Sequence, residues 1–101
     1  MLPSLPISVE IGGVTIAIRI EKLEAYGEYH GDEHEIVLSS RCLDKHSLMR
    51  ETLRHEMLHA AFDICGISYL ERFEEESVTR CIENVFFPAW EKVHHQITII
   101  E

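Results

Sequence analysis

A long helix is written into residues 44–66, Asp44-Lys45-His46-Ser47-Leu48-Met49-Arg50-Glu51-Thr52-Leu53-Arg54-His55-Glu56-Met57-Leu58-His59-Ala60-Ala61-Phe62-Asp63-Ile64-Cys65-Gly66. The Asp44 carboxylate can accept from the unpaired amides of a first turn, so Asp44 is the expected N-cap. Gly66 readily takes the left-handed conformation that ends a helix. Together they predict a helix over about 45–65. Its second half, Met57 to Cys65, is apolar on nearly every side, so most of its surface is expected in the interior, where a histidine needs a partner.

Upstream of this helix the hydrophobic period changes to two. Val14, Ile16, Ile18 and Ile20 alternate with Thr15, Ala17, Arg19 and Glu21, which fits a half-buried strand. Gly12-Gly13 supplies a turn before it, and Ile7, Val9 and Ile11 supply a hairpin mate. A second hairpin is expected from Ala25–Tyr29 and Glu35–Ser39, joined by His30-Gly31-Asp32-Glu33, which holds the Gly and Asp that a tight loop uses. The strands over about 7–39 predict a small antiparallel sheet. Downstream, Val78, Cys81, Ile82, Val85 and Phe86 form the stripe of a second helix over about 71–87, ended by Pro88. The tail 88–101 closes in Ile97-Thr98-Ile99-Ile100, a last strand or a packed extension. The fold class is α+β: one domain over 1–101, a small N-terminal antiparallel sheet packed on two helices.

Composition narrows the function classes. A chain of 101 residues has material for one modest core, and 46% hydrophobic with 27% charged residues is the balance of ordinary globular proteins. The formal charge of −9 repels phosphate backbones and anionic lipid, so neither nucleic acid nor a membrane is an expected partner. Cys42, Cys65 and Cys81 are odd in number and stand at unrelated spacings, which indicates neither a disulfide framework nor a zinc knuckle and points to a reducing compartment. The first residues lack a basic region followed by an apolar run, and no stretch approaches about 20 apolar residues; a cytoplasmic location is expected.

His55 and His59 carry the chemistry. Four apart on a helix, their imidazoles leave one face a turn apart and can close on one tetrahedral zinc at about 2.0 to 2.1 Å. Glu56 is offset by one residue. That keeps its carboxylate off the ion, at the distance where it can take a proton from a water on the metal and pass it to a leaving amine.

Thr52-Leu53-Arg54-His55-Glu56-Met57-Leu58-His59-Ala60-Ala61 resembles the extended H-E-x-x-H signature of the zincin superfamily of metallopeptidases: a small or β-branched residue three before the first histidine, uncharged neighbours and a hydrophobic residue after. The resemblance implies a zinc-dependent metallopeptidase with His55 and His59 as metal ligands and Glu56 as general base. In the gluzincin branch the third ligand is a glutamate on the following helix. Glu74-Glu75-Glu76-Ser77-Val78 lies at the matching place, and Glu75 is the first choice because it continues the stripe of Val78, Ile82 and Val85, with Glu76 and Glu71 as alternatives. The stretch from Glu75 to Pro88 also resembles the second helix of small phage- and mobile-element-associated zincin-like domains related to the ImmA/IrrE peptidases, which likewise place a short antiparallel sheet before the H-E-x-x-H helix. The chain departs from the metzincin pattern, having Phe62 and Cys65 where glycine and a third histidine stand, so Cys65 remains only an unusual thiolate candidate. Thr79 replaces the aspartate of thermolysin-like enzymes, which implies a different residue behind the ligands; Asp63 is a candidate.

The expected reaction is hydrolysis of a peptide bond in a peptide or protein substrate, with the strand around Ile36 to Leu38 as an edge for extended backbone. The alternative keeps the ligands but makes the ion structural, in a zinc-stabilised binding or regulatory module. Tyr26, Tyr29 and Tyr69 are each able in principle to stabilise an oxyanion, although packing is the commoner fate of tyrosine. His94 and His95, beside Trp90, are expected at the surface.

Overall fold

Gly12 and Gly13, at φ +57° and +82°, close a two-residue turn of the kind that matches the twist of a hairpin. The turn joins β1 (Ser8–Ile11) to β2 (Val14–Glu21) with Ile11 opposite Val14. The expected alternation holds where the sheet is covered: Ile16 is fully buried, Val14 and Ile18 are half-buried, and Ile20 near the strand end is exposed. The second hairpin pairs β3 (Gly27–His30) with β4 (Glu35–Ser39), placing Tyr29 opposite Ile36. Its loop is a 3-10 turn over Gly31–Glu33 followed by His34 at φ 49°. The computed structural model describes residues 5–67 and 75–97, with the backbone alone for Glu75, Glu76 and Thr79.

The sheet is mixed, not antiparallel. Its order is β1-β2-β4-β3, and β4 lies between β2 and β3, parallel to the first and antiparallel to the second. The sequence of β4 explains the position: Ile36, Val37 and Leu38 are all fully buried, the continuous apolar run of a strand enclosed on both faces. The link 22–26 has the reach for the rearrangement. Five residues span at most about 17 Å, and two strand spacings need about 10 Å. The exposed edge beside the hairpin is therefore β3, and the Ile36 to Leu38 strand expected there is interior.

Helix α1 (His46–Ile64) lies against this sheet through Met49, Leu53, Met57, Ala60 and Ala61, all fully buried. Its N-cap is Lys45, with no side-chain cap, in place of the expected Asp44. The C-terminus follows the expectation: Cys65 N–H donates to the Ala61 carbonyl, Gly66 N–H donates to the Asp63 carbonyl, and Gly66 takes φ +77°. The near-complete burial expected of Met57 to Cys65 is corrected, because His59 within it is exposed, as is His55 just before it. They stand outside the stripe of Leu53, Met57 and Ala60 that meets the sheet.

The second helix also differs from expectation, since Pro88 does not end it. A first segment, α2 (Glu75–Cys81), runs into a π segment over Ile82–Phe86 and then into α3 (Phe87–His94). Phe87 N–H donates to the Ile82 carbonyl, five residues back. In a regular helix the Pro88 ring meets the carbonyl four residues before it; the wider π turn displaces that carbonyl and lets the chain continue to His94. Residues 88–94 are thus helical, and Phe86, Ala89 and Val93 bury their side chains in the core shared with α1 and the sheet. Of the expected terminal run only Ile97, also buried, lies within the described residues. The architecture is α+β, and no helix among the described residues is long and apolar enough to cross a membrane.

Candidate metal centre and the adjoining cavity

Strand β3 and helix α1 approach each other closely because of what alternates on the strand. Positions 27, 29 and 31 share the side that faces the helix. A Cβ on Gly27 would lie 2.7 Å from Thr52 Cγ2 and 3.2 Å from Glu56 Cγ, and one on Gly31 would lie 3.1 Å from Asp63 Oδ2. Glycine at both places lets the backbone sit where any side chain would hold it off. Between them Tyr29 reaches across, and its hydroxyl donates to Asp63 Oδ2 at 2.7 Å.

Along α1, His55, His59 and Asp63 succeed one another at four-residue intervals, on one face of the helix. The Nε2 atoms of His55 and His59 lie 3.1 Å apart, and the rings meet edge to face with centroids 4.7 Å apart. Without an ion, one ring donates Nε2–H to the lone pair of the other. A shared ion at about 2.05 Å from each nitrogen would subtend roughly 100° across that 3.1 Å separation, close to the tetrahedral angle. The spacing of these two nitrogens is compatible with a shared zinc, and among the described residues no third donor joins them.

Glu56, between the two histidines in sequence, is buried where they are exposed. It is 7% exposed, and among the described residues no hydrogen-bond or ion-pair partner meets its carboxylate. Burial raises its pKa above the ordinary carboxylate value; neighbouring His55 and His59 oppose the shift, and Glu28 adds to it. Beside it opens a cavity of about 520 Å³ lined by Glu28, Tyr29, Gly31, Glu56, His59 and Asp63. One histidine of the pair, the buried glutamate and the Tyr29–Asp63 bond thus border one space. Sequence reasoning anticipated the histidines and Glu56 and named Asp63. It missed Glu28, Gly27 and Gly31, for which the only local signal is glycine within and just after a short strand.

The remaining candidates separate from this centre. Glu75 is the first residue of α2, and the placement of its carboxylate lies outside what the structure describes, as does that of Glu76; Glu71 and Tyr69 fall in the undescribed 68–74 segment. Cys65 lines a different cavity together with Cys81, and the two thiols interact, so Cys65 is engaged away from the histidines. Burial first, and Cys65 second, push the Cys81 thiol up to about 12. Tyr26 is exposed, with the Arg41 guanidinium 5.0 Å over its ring. His94 is half-buried rather than fully at the surface: its ring lies 5.4 Å from Trp90, and its Nδ1 lies 3.2 Å from Arg50. His95 is exposed.

A second group of metal-type donors, His30, Glu33 and Glu35, has ligand atoms within 4.8 Å of one another. Its members are already engaged in ion pairs. Arg19 donates to both oxygens of Glu35, at 2.7 and 3.0 Å, and holds that carboxyl down at about 2. Glu28, 3.0 Å from His30 Nε2, raises the imidazole pKa and so favours its cationic form, which is not a ligand. The cluster is accounted for as an ion-pair network.

Comparison with protein-family models, with curated proteins and with solved structures finds no match to this chain.

Proposed function

We propose that this chain is a zinc-dependent peptidase of the zincin type, in which His55 and His59 hold the ion with Glu75 as third ligand and Glu56 is the general base. The observation that carries the reading is the pair of imidazole nitrogens 3.1 Å apart on the exposed face of α1, one residue from a largely buried carboxylate that has no partner among the described residues. A structural zinc is normally enclosed by four protein ligands, whereas a catalytic one keeps a side open; the exposure of both histidines favours the second.

Held by His55 and His59, zinc would lower the pKa of a water and polarise a peptide carbonyl. Glu56 then removes the proton from the attacking water and returns it to the departing amine. Its raised pKa suits both halves of that task, since a base that is too weak cannot take the proton and one that is too strong cannot release it. The edge of β3 can pair with an extended peptide backbone beside the cavity. Tyr29, whose hydroxyl is held by Asp63, lines the same cavity as Glu56 and His59. The absence of a fixed thiol framework and the acidic composition suit a cytoplasmic setting.

The test is cleavage of a mixed peptide pool by zinc-loaded protein beside Glu56→Gln. Products from the native protein, and none from a variant that still holds zinc, support the reading. Zinc retained in both with no cleavage by either replaces it with a zinc-stabilised binding module.

A further inference from the structure

Hydrolysis calls on Glu56 but on neither Glu28 nor Asp63, which border the same cavity. Three carboxylates, Glu28 from β3 and Glu56 and Asp63 from α1, thus face one space of about 520 Å³, and no lysine or arginine is among the described residues that line it. The volume falls within the range of pockets that take small ligands or single side chains. Two of the carboxylates are held in place: Asp63 accepts from Tyr29 at 2.7 Å, and Glu28 meets His30 at 3.0 Å. Glu56, 7% exposed, meets none among the described residues. A carboxylate largely removed from water is costly, and the cost falls when a cation approaches the oxygens that still reach the cavity. An anionic or apolar group leaves it unrelieved. The formal charge of −9 adds a long-range attraction for cations.

We propose that the cavity between β3 and α1 receives a positively charged group of a peptide, the ammonium or guanidinium of a basic side chain or a free amino terminus. That the bound peptide is a substrate rests on the hydrolase reading above; binding of the cation does not.

Nuclear magnetic resonance titrations of the full chain, stripped of metal by chelator, test the binding alone. The probes are Nα-acetyl-lysinamide, with only a side-chain cation; norleucinamide, with only an α-ammonium; and uncharged Nα-acetyl-norleucinamide. At least one cationic probe is expected to shift the amides of Gly27, Tyr29 and Gly31 and to bind at least about tenfold more tightly than the uncharged one. Which cationic probe does so identifies the source of the charge. Combining Glu28→Gln with Asp63→Asn is expected to remove most of that preference. Should this double variant not fold, the preference of the native chain decides, together with its weakening by salt. Equal binding of charged and uncharged probes, or shifts confined to residues away from the cavity, overturns the proposal. Cation binding by a chain that takes no zinc leaves the proposal standing and removes the hydrolase; zinc-dependent cleavage without cation preference does the reverse.

Discussion

The Tyr29 hydroxyl donates to Asp63 Oδ2 at 2.7 Å, a bond between residues 34 apart in sequence that ties the sheet edge to the last turn of α1. Tyr29→Phe removes the donor while keeping the ring. It is expected to lower stability by about 1 kcal/mol, a fall in Tm of roughly 4–8 °C for a chain of this size, read by thermal melting followed by circular dichroism. An unchanged Tm contradicts the role given to the bond.

Gly27 sets how closely β3 approaches α1. A methyl group there meets Thr52 Cγ2 at 2.7 Å, and Thr52 cannot easily turn aside because its hydroxyl donates to the Leu48 carbonyl at 2.7 Å. Gly27→Ala is expected to cost about 1–3 kcal/mol in urea unfolding. Thr52→Ser deletes the obstructing methyl group and keeps the hydroxyl, so in the double variant much of the loss is expected to return. Additive costs would locate the strain elsewhere.

Glu35 gives the chain a dependence on acid. Arg19 holds its carboxyl down at about 2, from a usual value of 4.5. The unfolded chain therefore takes up that proton first as pH falls, and stability present above the ordinary carboxylate range is lost between about pH 4.5 and 2. Glu35→Gln is expected to reduce stability at neutral pH and to flatten this acid limb, measured as urea midpoints across pH. A limb of unchanged slope contradicts the pairing.

Glu56 has the opposite character, a carboxylate buried at a cost to the fold. In metal-free protein at pH 7, Glu56→Gln is expected to raise stability by about 1 kcal/mol, because a neutral amide is cheaper to leave without a charged partner. In zinc-loaded protein the same variant is expected to keep its metal and lose cleavage.

Much of the scaffold was legible because it rests on local pattern. Alternation from Val14 to Glu21 gave the bounds of β2, and Gly66 marked the end of α1. The place of β4 was not legible, because alternation tells which face of a strand is buried and says nothing of which strand lies beside it. Pro88 misled for a different reason: the rule that proline ends a helix assumes a regular turn before it, and the π segment from Ile82 to Phe86 removes that condition. The exposure of His55 and His59 also escaped, since apolar neighbours in sequence do not fix where the sheet ends. Of the candidate site, the spacing of His55, Glu56 and His59 was readable, whereas the cavity wall depends on Glu28, Tyr29 and Asp63 meeting across two elements.

Elemental analysis of the native protein and its His55→Ala and Glu75→Ala variants, each purified without added chelator and then dialysed against limiting zinc, bears most directly on the metal. One zinc per native chain is expected, with loss in His55→Ala and weaker retention in Glu75→Ala. A native chain that holds no zinc, and melts at the same temperature with and without chelator, would contradict the account at its root.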